Sequence, residues 1–189
     1  MSTQLPLTES QTEFLRRVEA KCDRNLALCY QCGKCTAGCP IAFEMDYSPH
    51  QIIRGVQLGM SDVVLSSRTI WLCAACETCS TRCPQNVDPA GVMDALRRIA
   101  YARGIKSPEQ DVPLFHRLFL RSVEQFGRVY ELGMMAFYNL FSGHFVKDVM
   151  MAPKMLFKGK LGLLPPRDKH VKGMKEMFAK ARELEGKLE

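Results

Sequence analysis

The sequence predicts a mostly α-helical protein, and three observations carry that expectation. Apolar residues recur at the spacing of one helix face in several windows. Two stretches open on a polar residue followed by proline, Ser48-Pro49 and Asp88-Pro89, the signature of a helix N-terminus. No window alternates apolar and polar residues as a half-buried strand does. With 189 residues and 47% apolar content, the chain suits one domain with an appendage. Three segments are expected: an N-terminal helix over 1–28, a cysteine-bearing module over 29–105, and a helical extension over 106–189 that docks a partner.

The first helix runs from Glu9 to Leu28, with Phe14, Val18, Cys22 and Leu26 on one apolar stripe. The run CYQCGKCTAGCP, Cys29 to Pro40, follows as an irregular loop. Next, SPHQIIRGVQLG gives a helix capped by Ser48 and closed at Gly59. A short helix from Ser61 to about Ser67 leads through Trp71 into a second irregular loop, CAACETCSTRCP, Cys73 to Pro84. Asp88 caps the helix that follows, Pro89 takes its first position, and Gly104 lies just past its end. Loop plus helix is thus duplicated, in only two copies and therefore not as a solenoid.

Leu114, Phe115, Leu118, Phe119, Val123, Phe126, Val129 and Tyr130 mark a further helical pattern from Pro113 to about Ser142. The tail from His144 is broken by Pro153, Gly159, Gly162 and Pro165-Pro166, and a charged helix from Lys172 to Leu188 closes the chain.

Eight of the nine cysteines fall in the two runs, each with three evenly spaced cysteines and a fourth before proline. That is the spacing of a bacterial-type two-cluster ferredoxin, in which the fourth cysteine of each run binds the other cluster. Two 4Fe-4S clusters are therefore expected. Cys29, Cys32, Cys35 and Cys83 would hold the first, and Cys73, Cys76, Cys79 and Cys39 the second. Crossed ligation ties the two loops together and sets the clusters side by side. Small residues such as Gly33, Gly38, Ala74 and Ala75 let the backbone approach a cube, and Pro40 and Pro84 turn the chain away. Lys34 and Arg82, inside the runs, are expected to favour the reduced clusters.

Structural zinc and thiol–disulfide exchange are the alternatives. Zinc takes its four ligands from two pairs, and an exchanger uses one C-x-x-C in a βαβ setting, so both fit this pattern less well. Cys22, on the stripe of the first helix, reads as a structural thiol. His50, His116, His144 and His170 share no ligand spacing and read as surface or core residues. Met134, Met135, Met150, Met151 and Met155 read as core, in a composition that also suits a partner interface.

The formal charge is +6, counting cysteines as neutral. With two clusters at about −2 each the loaded chain sits near +2, so its basicity does not point to nucleic acid. No signal peptide opens the sequence and no apolar window is long enough for a membrane span; a cytoplasmic protein is expected. There is no phosphate loop, dinucleotide fingerprint or nucleophile elbow, and no catalytic residue is nominated. The reading is of an electron wire whose bond-breaking partner is another polypeptide.

CYQCGKCTAGCP, CAACETCSTRCP and VDPAGVMDALR together resemble the C subunit of heterodisulfide reductase, an α-helical ferredoxin-like module with two 4Fe-4S clusters. The resemblance is most specific over Cys29 to Gly104 and implies the same eight cysteine ligands. It implies electron transfer between a flavin- and cluster-bearing A subunit, which performs flavin-based electron bifurcation, and a B subunit with paired-cysteine sites that reduces the disulfide. A hydrogenase or another dehydrogenase is an expected further partner. The alternative is the iron–sulfur subunit of another anaerobic dehydrogenase or quinone-linked complex. Succinate dehydrogenase-type subunits add four cysteines upstream, where only Cys22 lies here. Glycolate oxidase-type subunits add cysteines downstream, and none follows Cys83.

Overall fold

Residues 8–143 and 171–185 are described by the computed structural model, and the readings for His144, Met150, Met151, Met155, His170, Leu188 and the prolines and glycines between them lie outside that range. Among the described residues the chain is helical and has no strand, so the mostly α expectation holds. It divides into two units, Met1–Gln110 and Asp111–Glu189.

In the first unit, α1 (Glu9–Cys22) starts where Gln11 Oε1 accepts the N–H of Thr8 at 2.8 Å, half of a capping box. It stops at Asp23, in the left-handed region at φ 51, and does not run on to Leu28. Residues Leu26–Leu28 form a separate 3-10 turn instead. Asn25 Oδ1 accepts from the N–H of Ala27 at 2.9 Å, and Glu19 reaches back to the N–H of Leu26 at 2.8 Å. Local side-chain bonding of this kind competes with helix continuation. Phe14, Val18 and Leu26 are all buried despite the break.

Each cysteine run contains a one-turn helix, where the sequence suggests only irregular loop: α2 (Lys34–Ala37) and α6 (Thr78–Thr81). Both start behind a residue with positive φ, Gly33 at 75 and Glu77 at 61. The longer helices are α3 (Pro49–Gln57), with Pro49 at its first position, and α7 (Pro89–Ala102), with Asp88 as cap. Gly104, at φ 66, closes α7 as predicted. Between α3 and the second run lie α4 (Ser61–Ser66) and α5 (Thr69–Leu72).

Helix α7 is the hub and packs against α1, α3, α4, α5 and α6. Its Val92, Met93, Ala95, Leu96, Ile99 and Ala100 are buried in one cluster with Phe14, Val18, Ile52, Ile53, Val56, Val64, Leu65, Ile70 and Trp71. Each large side chain of this kind stabilises by about 1.5–3 kcal/mol through burial. Two further contacts pin the unit. Gly59 sits at φ 66, and a Cβ there would lie 2.5 Å from the Cα of Gln11 in α1. Asp46 accepts from Arg68 N at 2.8 Å, Thr69 N at 3.0 Å and Thr69 Oγ1 at 2.7 Å, joining the entry of α3 to the start of α5.

In the second unit the predicted single run from Pro113 to Ser142 is two helices, α8 (Asp111–Phe126) and α9 (Glu131–Ser142). Gly127, at φ 79, ends α8, and buried Ser122 accepts the N–H of Tyr130 at 2.8 Å. Phe115 packs edge-on against Tyr138, 6.0 Å between ring centres. The closing helix α10 (Val171–Glu185) lies on α8, where Arg182 pairs with Glu124. No helix among the described residues is long and apolar enough to cross a membrane.

Candidate metal centre

The two runs fold alike, residue against residue. Gln31 and Ala75 hold the same place in each and share positive φ, at 62 and 49. Thr36 and Ser80, each just after the third cysteine, accept the backbone N–H of the second residue of the following helix. His50 N donates to Thr36 Oγ1 at 3.3 Å, and Ala90 N donates to Ser80 Oγ at 3.3 Å. A loop hydroxyl thus satisfies an N–H at each helix entry, which proline has already left one donor short. Ser80 Oγ also donates to Asp88 Oδ1 at 2.5 Å. The signal for Thr36 and Ser80 was in the sequence, as a hydroxyl at matched places of a repeat.

The entry to each run is clamped from the following helix. Gln57 Nε2, in α3, donates to the carbonyls of Leu26 at 2.8 Å and Cys29 at 3.1 Å. Arg97 Nη1, in α7, donates to the carbonyl of Cys73 at 3.2 Å. Counted from the opening prolines, Gln57 and Arg97 occupy the same position. α2 packs against α6, and the Arg82 side chain lies over Gly38, where a Cβ would come within 2.7 Å of its Nη1.

This packing gathers the eight run cysteines into two sets of four. Cys29, Cys32, Cys35 and Cys83 line one cavity, together with Gln31, Lys34 and His50. Cys39, Cys73, Cys76 and Cys79 line another, whose other walls include Pro40, Ile41, Met45, Pro49, Ala90 and Met93. The fourth cysteine of each run stands with the first three of the other. Among the described residues no three potential ligands close on a single metal ion. The sulfurs ring a space instead, and an all-thiol donor set around a mostly apolar cradle suits a 4Fe-4S group.

The surroundings of the two sets differ. In the first, Gln31 Nε2 donates to Cys29 Sγ at 3.3 Å and Val87 N donates to Cys83 Sγ at 3.3 Å. His50 keeps Nδ1 against Thr36 Oγ1 at 2.7 Å and Ser48 Oγ at 3.1 Å. In the second, Cys76 Sγ lies 3.4 Å from Thr78 Oγ1. Burial pushes the thiols of Cys35 and Cys73 up, and that of Cys79 up to about 11. The exposed Cys76 thiol is held down by the hydroxyl and backbone N–H of Thr78. Cys32 and Cys76 are exposed, so each set reaches the surface through one cysteine. Cys22 stands apart from both sets, half-buried against the core, with burial raising its thiol.

Residues 25–87 match the 4Fe-4S dicluster domain. The chain is similar to the C subunit of the H2:CoB-CoM heterodisulfide,ferredoxin reductase of Methanothermobacter marburgensis, 35% identical over 96 residues, 51% of this chain and 52% of that protein. It is similar to the C subunit of the ferredoxin:CoB-CoM heterodisulfide reductase of Methanosarcina acetivorans, 41% identical over 100 residues, 53% of this chain and 39% of that one. A protein of Archaeoglobus profundus that is itself like the heterodisulfide reductase C subunit is 37% identical over 95 residues, covering 47% of this chain and 50% of its own. The chain spans about half the length of the curated relatives it matches. The resemblance carried by the cysteine runs is therefore borne out, and the protein carries two 4Fe-4S clusters.

Proposed function

We propose that this chain, a 4Fe-4S dicluster protein similar to the heterodisulfide reductase C subunit, is the electron-transfer subunit of a heterodisulfide reductase-type complex. Cys29, Cys32, Cys35 and Cys83 hold one cluster, and Cys39, Cys73, Cys76 and Cys79 the other. The single observation that carries this ligation is the sorting of eight thiols into two cavities, each with the fourth cysteine of the opposite run. Bound there, each cluster supplies a site that gains and loses one electron. The chain's own residues provide the crossed scaffold and an exposed cysteine beside each cluster, Cys32 and Cys76, as points of approach for redox partners.

The relay runs between a flavin-bearing A-like subunit and a disulfide-reducing B-like subunit with paired-cysteine sites. The names of the Methanothermobacter and Methanosarcina relatives share the CoB-CoM heterodisulfide and differ in donor, hydrogen for one and ferredoxin for the other. The extension 106–189 is the docking region, supported by the exposed Phe137, Leu140 and Phe141 on α9. Anaerobic purification from the native source tests the reading. About eight irons and as many acid-labile sulfides per chain, with a flavoprotein and a paired-cysteine subunit in the same complex, are the expected result. Recovery with a cytochrome or a membrane anchor instead would overturn the assignment of partners, and iron-free native material would overturn the ligation.

A further inference from the structure

The duplication is unequal at one largely buried position. Where α3 brings Gln57 to the carbonyl of Cys29, α7 brings Arg97 to the carbonyl of Cys73. The Arg97 side chain is only 13% exposed, and its Nε is buried without a partner among the described residues. Its carboxylate neighbour, Asp94, sits at 3.6 Å and is 58% exposed, so water screens that pairing. A guanidinium taken out of water needs a counter-charge. The cavity behind Cys73 is where one arrives, because an oxidised 4Fe-4S group with four thiolates carries a net charge of about −2, and a further negative charge when reduced. The basic residues inside the runs serve this less well. Lys34 and Arg82 are both exposed to solvent.

We infer that Arg97 is a fixed, largely buried cation that raises the reduction potential of the cluster held by Cys39, Cys73, Cys76 and Cys79, and that Gln57 leaves the other cluster without that charge. Arg97 is a positioning residue that touches a ligand's backbone and acts on the cluster through space. A buried positive charge favours whichever state of its neighbour is more negative, and low local dielectric strengthens the effect. The first cluster's entry is built the same way with a neutral amide, so the protein contains its own control.

The inference rests on the crossed ligation, and the experiment separates the two. Full-length protein, loaded and handled anaerobically, is analysed for iron and poised at fixed potentials, with each cluster followed by its EPR signal. The Arg97→Gln protein retains the carbonyl contact and loses the charge. At a poise where the second cluster is half reduced in the natural protein, its reduced-to-oxidised ratio falls several-fold, while the first cluster's ratio is unchanged. Arg97→Lys restores most of the ratio. Equal shifts in both clusters, no shift, or an Arg97→Lys protein that behaves like Arg97→Gln each overturn the inference. If Arg97→Gln sheds iron, Gln57→Arg decides: the first cluster's ratio rises several-fold, and no rise overturns the inference. Natural protein lacking about eight irons, or Cys83→Ser that spares the cluster of Cys29, Cys32 and Cys35, would point instead to failure of the ligation itself.

Discussion

Cys83 belongs to the second run by sequence and to the first cavity by position. Replacing it with serine is expected to drop iron from about eight to about four per chain and to remove the signal of the cluster shared with Cys29, Cys32 and Cys35. Iron analysis with EPR reads both. Cys35, Cys73 and Cys79 have thiols raised by burial and hold protons at neutral pH in the cluster-free chain. Loading must release those protons, so cluster retention against a chelator strengthens between about pH 6.5 and about pH 8.5. The sign reverses for the cluster-free fold. Cys79 is raised from 9.0 to about 11, so the unfolded chain gives up its proton first and the stability due to this group is lost as pH climbs from 9.0 to about 11. A thermal scan of cluster-free protein across the window checks it. At this scale the eight cysteines were legible, because their spacing is itself the signal. Gln31, Gln57 and Arg97 were not, since nothing in a sequence marks which polar side chain will turn toward a sulfur or a ligand's carbonyl.

Among the elements, helix starts were easier to read than helix ends. Ser48-Pro49 and Asp88-Pro89 open α3 and α7 where expected, because capping and proline act locally. The first helix stops short at Cys22, since Asn25 and Glu19 bond the backbone of the next turn and the apolar stripe gives no hint of it. Elements are joined by contacts that single substitutions test. Asp46→Ala removes the acceptor for Arg68 N and Thr69 N, and Thr69 is fully buried. A loss of about 1–3 kcal/mol is expected in denaturant unfolding of the loaded protein. Burial tends to raise the Asp46 carboxyl, but the hydrogen bonds from Thr69, Arg68 and Tyr47 prevail and hold it below its ordinary 3.8. Its contribution is therefore present above that value and fades as pH falls through the lowered one. Gly59→Ala combines a positive φ with a collision at the Gln11 backbone and is expected to cost about 1–3 kcal/mol.

For the molecule as a whole, every run cysteine and the entire buried cluster around α7 lie in Met1–Gln110. A chain ending at Gln110 is expected to load about eight irons and to keep both EPR signals, while losing association with the partner subunits. Retention of the partners by that truncated chain would contradict docking through 106–189. Stripping the clusters from the full chain should loosen α2 and α6 and leave the α1–α7 packing partly in place, because those one-turn helices hold few core residues of their own. Hydrogen exchange of loaded and stripped protein reads the difference.

The amino-acid order alone determined that the chain is helical, that it carries a doubled cysteine run, and that this run suits two 4Fe-4S clusters; all three follow from periodicity and spacing along the backbone. The crossed cysteine sets were expected from the spacing and stand together in the fold, but only the tertiary structure decided which side chains clamp each loop entry and which largely buried charge stands behind Cys73. Those are distances between residues remote in sequence, set by how α3 and α7 lay their duplicated loops together, and no local pattern encodes them.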